Sequence, residues 1–161
     1  VLSYEEMNGY CNRAIKLNPN CKLTLILMQV NDMEDYMKNE GSGFVQDLLQ
    51  SVQDTVRRHV GHRGIVCPLQ PNLMSVVVQD INSDIKLRAF IESLRSRIAW
   101  NYRLIDPKYE ISFSFGVACY PENGMDMRIV HRKLVKALQM AQEKHANCYV
   151  IYKEHLHGEL S

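Results

Sequence analysis

The 161-residue chain has almost no net charge, no paired cysteines, no long apolar run and no internal repeat. Its 19 basic and 18 acidic residues leave a formal charge of +1. That balance removes the electrostatic argument for a nucleic-acid or membrane surface. No stretch approaches the roughly 18 apolar residues that a bilayer-spanning helix needs, and no secretory signal pattern is present. The five cysteines, Cys11, Cys21, Cys67, Cys119 and Cys148, form no CxxC spacing. Each lies in or beside an apolar run, as buried thiols of a reducing compartment do, so a cytoplasmic setting is expected. Scattered thiols give no zinc spacing and no sign of an activated nucleophile.

What is present is enough apolar sequence, 46% of the residues, for one hydrophobic core. SYEEMNGYCNRAIKL opens with a helix, capped at Ser3 and Glu6 and ended by Asn18, Pro19 and Asn20. LTLILMQV at 23–30 is a buried strand. A helical region runs over 32–59, with Gly41 and Gly43 as interruption points and Phe44, Leu48, Leu49, Val52 and Val56 as its apolar face. IVCPL and LMSVVV read as antiparallel neighbours joined at Gln70, Pro71 and Asn72, although proline and glutamine are poor residues for a tight two-residue turn. Asn82 or Ser83 caps a helix with apolar positions Ile85, Leu87, Ile91, Leu94 and Ile98. A strand over 109–120, the turn PENGMD, a helix over 127–144 and a strand at 148–152 complete the pattern.

The order after the first helix, β-α-β-β-α-β-α-β, predicts an α/β (α+β) fold of ferredoxin-like or nucleotide-cyclase-like type. Its mostly antiparallel sheet is expected to have helices covering one face. Residues 1–153 form the expected single domain and 154–161 a polar tail or linker.

LILMQVNDM at the first strand exit, VVVQD after the central hairpin, SFSFGVACYPENG at 112–124 and KALQMAQEKHANCYVIY near the end occur in the order seen in one family. Together they resemble the GGDEF domains, the diguanylate cyclases of bacterial signalling proteins. The resemblance implies a divalent-metal site, a triphosphate site and a guanine site, and at each this chain departs from the pattern. At the first strand exit the family's acids, phenylalanine and lysine correspond to Gln29, Asn31, Met33 and Glu34. An amide supplies no charge to magnesium, and Glu34 repels phosphate. The signature turn reads Gln70, Pro71, Asn72, Leu73 and Met74, without the glycines that let backbone approach phosphate. The guanine-recognising pair corresponds to Met37 and Gln46, and the phosphate-contacting lysine and arginine to Gln142 and Ala146. The feedback arginine and aspartate fall at Gly61 and Gly64.

Taken together, these replacements remove the electrostatic devices of phosphoryl transfer, so no catalytic residue, metal or cofactor is expected. Asp32, Asp35 and Glu40 near the first strand exit are read as a helix start whose carboxylates favour the dipole, with a displaced metal site as the alternative. Arg57, Arg58, His59, His62 and Arg63 cluster before the hairpin. Arg128, His131, Arg132, Lys133 and Lys136 recur at helical spacing, and Arg128, His131, Arg132 and Lys136 are assigned as a contact face. Trp100, Tyr102 and Leu104 are expected to pack inward, and Met28, Met33, Met37 and Met74 to fill the former nucleotide cleft. The function expected is a catalytically inactive regulatory or sensory domain that works by recognising a ligand, a protein partner or an attached signalling domain. A homodimer and retained nucleotide binding are left open. The alternative is an atypical nucleotide-binding or phosphoryl-transfer enzyme whose ligands have moved.

Overall fold

The computed structural model describes residues 2–81, 83–105, 111–144 and 148–157, and the side chains of 2, 3, 102–105 and 157 lie outside that description. Helix α1 (Leu2–Leu17) precedes strand β1 (Leu23–Val30), helices α2 (Met33–Glu40) and α3 (Ser42–Val60), and the hairpin β2 (Gly64–Gln70) and β3 (Leu73–Gln79). Helix α4 (Asp84–Ile105), β4 (Phe113–Tyr120), α5 (Met127–Glu143), β5 (Cys148–Ile151) and the short α6 (Glu154–His157) follow. The strands lie in the order β2-β3-β1-β4-β5, antiparallel except for the β4–β5 pair. This is the split βαβ arrangement with one parallel strand added at its edge.

Helices cover both faces of this sheet, which corrects the expectation of one. Alternation along β1 explains it. Ile26, Met28 and Val30 face α2, α3 and α4 together with Met74, Val76, Phe113 and Phe115. Leu23, Leu25 and Leu27 face the opposite way, against Met7, Cys11 and Ala14 of α1 and Val130, Leu134 and Leu138 of α5. A strand with apolar residues on both faces has two faces to bury, and one helical layer leaves the second wet.

Three local differences from the sequence reading have physical causes. Gly41, at φ 88°, separates α2 from α3, whereas Gly43 sits inside α3. The hairpin turn does contain only Pro71 and Asn72, between the paired Gln70 and Leu73. Among the described residues Asp32 and Asp80 alone combine a side chain with positive φ. The turn therefore lacks the primed geometry that matches strand twist, and a register shift between Pro68 and Gln70 takes up the mismatch. Ile85, expected in the core, is 82% exposed, while Phe90 is buried and fills that face of α4.

Cys11, Cys21 and Cys67 are buried, and Cys119 and Cys148 half-buried. Burial pushes the Cys11 thiol up to about 12 and the Cys119 thiol up to about 11, away from thiolate chemistry at neutral pH. Residues 154–157, expected in the tail, form a single helical turn whose Glu154 meets the Lys133 ammonium. Tyr102, Leu104 and the Asn82 cap lie outside the described side chains.

Candidate functional site

Strand β1 runs between β3 and β4, so its exit is bordered by the β2–β3 turn on one side and the entry to β4 on the other. Both borders are hydrogen-bonded to it. Val30 N donates to the Asn72 carbonyl at 2.9 Å, and Asn72 Nδ2 returns a bond to the Val30 carbonyl at 3.2 Å. Asn31 N donates to the Ser112 carbonyl at 2.9 Å. Asn31 Nδ2 also lies 3.0 Å from the hydroxyl oxygens of both Ser112 and Ser114. At Gln29 the side-chain oxygen accepts from Gln142 Nε2, which arrives from the end of α5. A shallow depression of about 330 Å³ remains, lined by Gln29, Asn31, Asp32, Met33, Glu34 and Asn72 among others.

A sheet of this order, with a tight β2–β3 turn beside the exit of its central strand, matches a known family along nearly its whole length. The family model described as "Diguanylate cyclase, GGDEF domain" matches residues 5–148. The chain belongs to the GGDEF family. The active GGEEF domain of a diguanylate cyclase from Vibrio cholerae shares this GGDEF fold with a TM-score of 0.76 at 16% identity, covering 90% of each chain. A GGDEF domain from Pseudomonas aeruginosa gives 0.76 at 15% identity, covering 92% of this chain and 88% of that one. The GGDEF domain of FimX, also from Pseudomonas aeruginosa, gives 0.72 at 13%, covering 93% and 90%. An uncharacterized protein of Synechocystis is 17% identical over 142 residues, 88% of this chain. The chain spans one fifth, 20%, of the length of that curated relative.

The fold gathers Gln29 of β1, Asn31 of the link that follows it, Glu34 of α2, Asn72 of the hairpin turn and Gln142 of α5 at one end of β1. It holds Met74 buried beside Met28, its cross-strand partner, with Met33 packed on the same core. Those three fill space, whereas Met37 stands 47% exposed on α2. Gln46, Gln70 and Pro71 are exposed, and Leu73 is half-buried on the opposite side of the sheet. Ala146 lies outside the described residues.

A divalent cation does not fit the residues present. The Gln29 oxygen, the atom that would face a cation, is occupied by the Gln142 amide. Asp32, Glu34 and Asp35 line the depression, but among the described residues no three histidines, cysteines or carboxylates come together as a metal-holding group. Two neutral amides cannot replace the charge that magnesium selects.

Sequence reasoning did not find Ser112 and Ser114 as partners of this site. Their only signal is polar residues at the start of an apolar strand, where they are 8% and 2% exposed. Replacing Asn31 by alanine strands two buried hydroxyls and is expected to cost about 2 kcal/mol. Asn31→Asp keeps the acceptor, and each hydroxyl rotates to donate to it. Urea unfolding of the two variants is expected to show alanine clearly less stable than aspartate.

The basic sequence assigned as a contact face is divided by the fold. Arg128 and Arg132 are exposed, with Arg128 paired to Asp126 at 2.9 Å, and Lys136 is half-buried. His131 instead turns toward α1, its ring edge-on to Tyr4 at 4.6 Å. His131 Nε2 is buried with no hydrogen-bond partner among the described residues, and burial lowers the pKa from 6.5. The second basic cluster is also mixed: Arg57, Arg58, His62 and Arg63 are exposed, but His59 packs on Phe90 at 4.8 Å and is lowered mainly by burial.

A histidine lowered in the folded state binds fewer protons there than when unfolded. His131 and His59 therefore contribute their stability above the unfolded value near 6.5, and it is lost as pH falls through the folded value. His131→Phe is expected to reduce the loss of unfolding free energy between neutral and mildly acidic pH, with His59 retaining the remainder.

Proposed function

We propose that this GGDEF domain makes no cyclic dinucleotide and works as a regulatory module, passing on the state of an attached domain or protein partner by contact. The observation that carries this reading is the internal use of the amides at the β1 exit. Gln29 is bonded to Gln142, Asn31 to Ser112 and Ser114, and Asn72 to Val30. These bonds cross between β1, β4, α5 and the hairpin turn, so the amides that border the depression are engaged with the protein itself and not turned toward a ligand.

Several features support recognition in place of chemistry. Glu34 is exposed at the lip of the depression and repels triphosphate. The turn carries Pro71 in place of a glycine and thereby lacks one amide donor. The small share of the curated relative's length fits a domain that acts beside others. One structural relative from Caulobacter crescentus is itself described as a sensory box/GGDEF family protein. Among the described residues no helix is long and apolar enough to cross a membrane.

The test is calorimetric titration of the purified chain with GTP and with cyclic diguanylate in magnesium, together with a product assay on the GTP mixture. Absence of product is expected. Binding without product assigns the module a nucleotide-sensing role, absence of both assigns it a protein-contact role, and product formation establishes the rival enzyme with displaced ligands.

A further inference from the structure

The groove between α3 and α4 is remote from the chemistry of the β1 exit. It has a volume of about 470 Å³ and is lined by Thr55, Arg58, Ser93, Arg97, Trp100 and Asn101 among others. Its floor is fixed, because Asn101 Nδ2 donates to Thr55 Oγ1 at 2.9 Å and the Thr55 hydroxyl donates to the Ser51 carbonyl at 2.8 Å. Its rim is open. Trp100 is 65% exposed, which overturns its expected inward packing. Arg58 and Arg97 are exposed and make no ion pair among the described residues. The groove contains no carboxylate, so two guanidinium groups flank an indole without a counter-charge.

The same chain carries a surface of complementary chemistry. Helix α2 buries Tyr36 against α3, where the Tyr36 and Phe44 ring centroids lie 6.0 Å apart. Its outer side presents Glu34, Met37 and Glu40 at successive three-residue steps, with Asp35 and Lys38 beside them. Glu34 and Asp35 make no ion pair among the described residues. Met37, with Glu34 three residues before it and Glu40 three after on the same helix row, matches an indole that shares its groove with two guanidinium groups: the sulfur-bearing chain meets the ring and the charges pair around it.

We propose that this groove receives the outer face of α2 from a second copy of the chain. Helices α2, α3 and α4 cover the same sheet face, and a two-fold pairing of α2 with the groove makes the contact twice, which closes the assembly at two chains. The formal charge of +1 leaves little repulsion between copies. An exposed aromatic ringed by arginines is the side-chain combination that dominates protein contacts.

Sedimentation equilibrium of the 161-residue chain over a concentration series tests this directly. The expected mass rises from one chain to two and stops there. Trp100→Ala and Arg97→Glu each weaken association about tenfold or more, since each removes an anchor from the contact. Both positions are exposed, and circular dichroism of the variants is expected to be unchanged. Combining Arg97→Glu with Glu34→Arg restores the charge pairing and the dimer. A one-chain mass throughout overturns the proposal, as does a dimer indifferent to Trp100→Ala and Arg97→Glu. Failure of the charge swap to rescue Arg97→Glu excludes α2 as the occupant and likewise overturns the proposal.

Discussion

Gly116→Ala is expected to lower the unfolding free energy by roughly 3 kcal/mol and the melting temperature by roughly 6–12 °C. Gly116 lies in β4, which is held between β1 and β5. A methyl group there would sit 2.3 Å from Leu138 N, 2.7 Å from Leu138 Cα and 2.8 Å from the Leu134 carbonyl oxygen. All three atoms are α5 backbone, so no rotamer change relieves the clash. Either α5 lifts from the sheet, uncovering Leu134, Ala137 and Leu138, or the strand breaks register on two sides. Gly43→Ala provides the contrast. Nothing lies within 4 Å of the added carbon, and Gly43 sits in the first turn of α3. That change is expected to be neutral or to stabilise by about 0.5–1 kcal/mol through helix propensity and loss of unfolded-state freedom. Thermal or denaturant unfolding of the pair gives the same substitution opposite signs.

The closeness of α5 to β4 also places Gln142 beside Gln29, and the second large effect concerns that end of the sheet. With GTP and magnesium, product formation is expected to fall at least about 10⁵-fold below an active domain. Single charge-stabilising contacts are worth about 10²–10³ in rate, and more than one of them is replaced here. The positions that resemble metal acids hold Gln29 and Asn72, and those that resemble phosphate lysines hold Glu34 and Gln142. The double variant Gln29→Asp/Asn72→Asp separates metal binding from catalysis. Two carboxylates at the β1 exit are expected to recover magnesium binding, read as magnesium-dependent stabilisation. Product is still expected to be absent, because Glu34 and Pro71 leave the triphosphate without cationic and amide partners. Product from the double variant would show that the metal acids were the only missing part.

Much of this was legible along the chain. The apolar run 23–30, the alternating strands and the amphipathic helices carry their own burial pattern, and a mostly antiparallel sheet with covering helices follows from their order. That Gln29, Asn31, Asn72 and Gln142 are neutral amides and Glu34 an acid is a matter of residue identity, readable without coordinates. His131 was misplaced because helical spacing gives a side chain's direction but not what stands beside it. Only α1, more than 100 residues earlier in the chain, supplies Tyr4 and closes over that ring. Trp100 failed in the other direction: its size argued for burial, yet it stands 65% exposed on α4.

Local sequence thus determined which segments are strands and helices, where apolar surface must be covered and that the residues at the β1 exit include several neutral amides. Tertiary structure alone decided that Gln29 meets Gln142 across 113 residues, and that Asn31 meets Ser112 and Ser114 across 81 and 83. It also decided that α1 and α5 take the second face of the sheet, and that Arg58, Arg97 and Trp100 frame one groove. The physical reason is that periodicity records whether a residue is buried, a property of its own segment, whereas strand order and register fix its neighbours and depend on every segment packing at once.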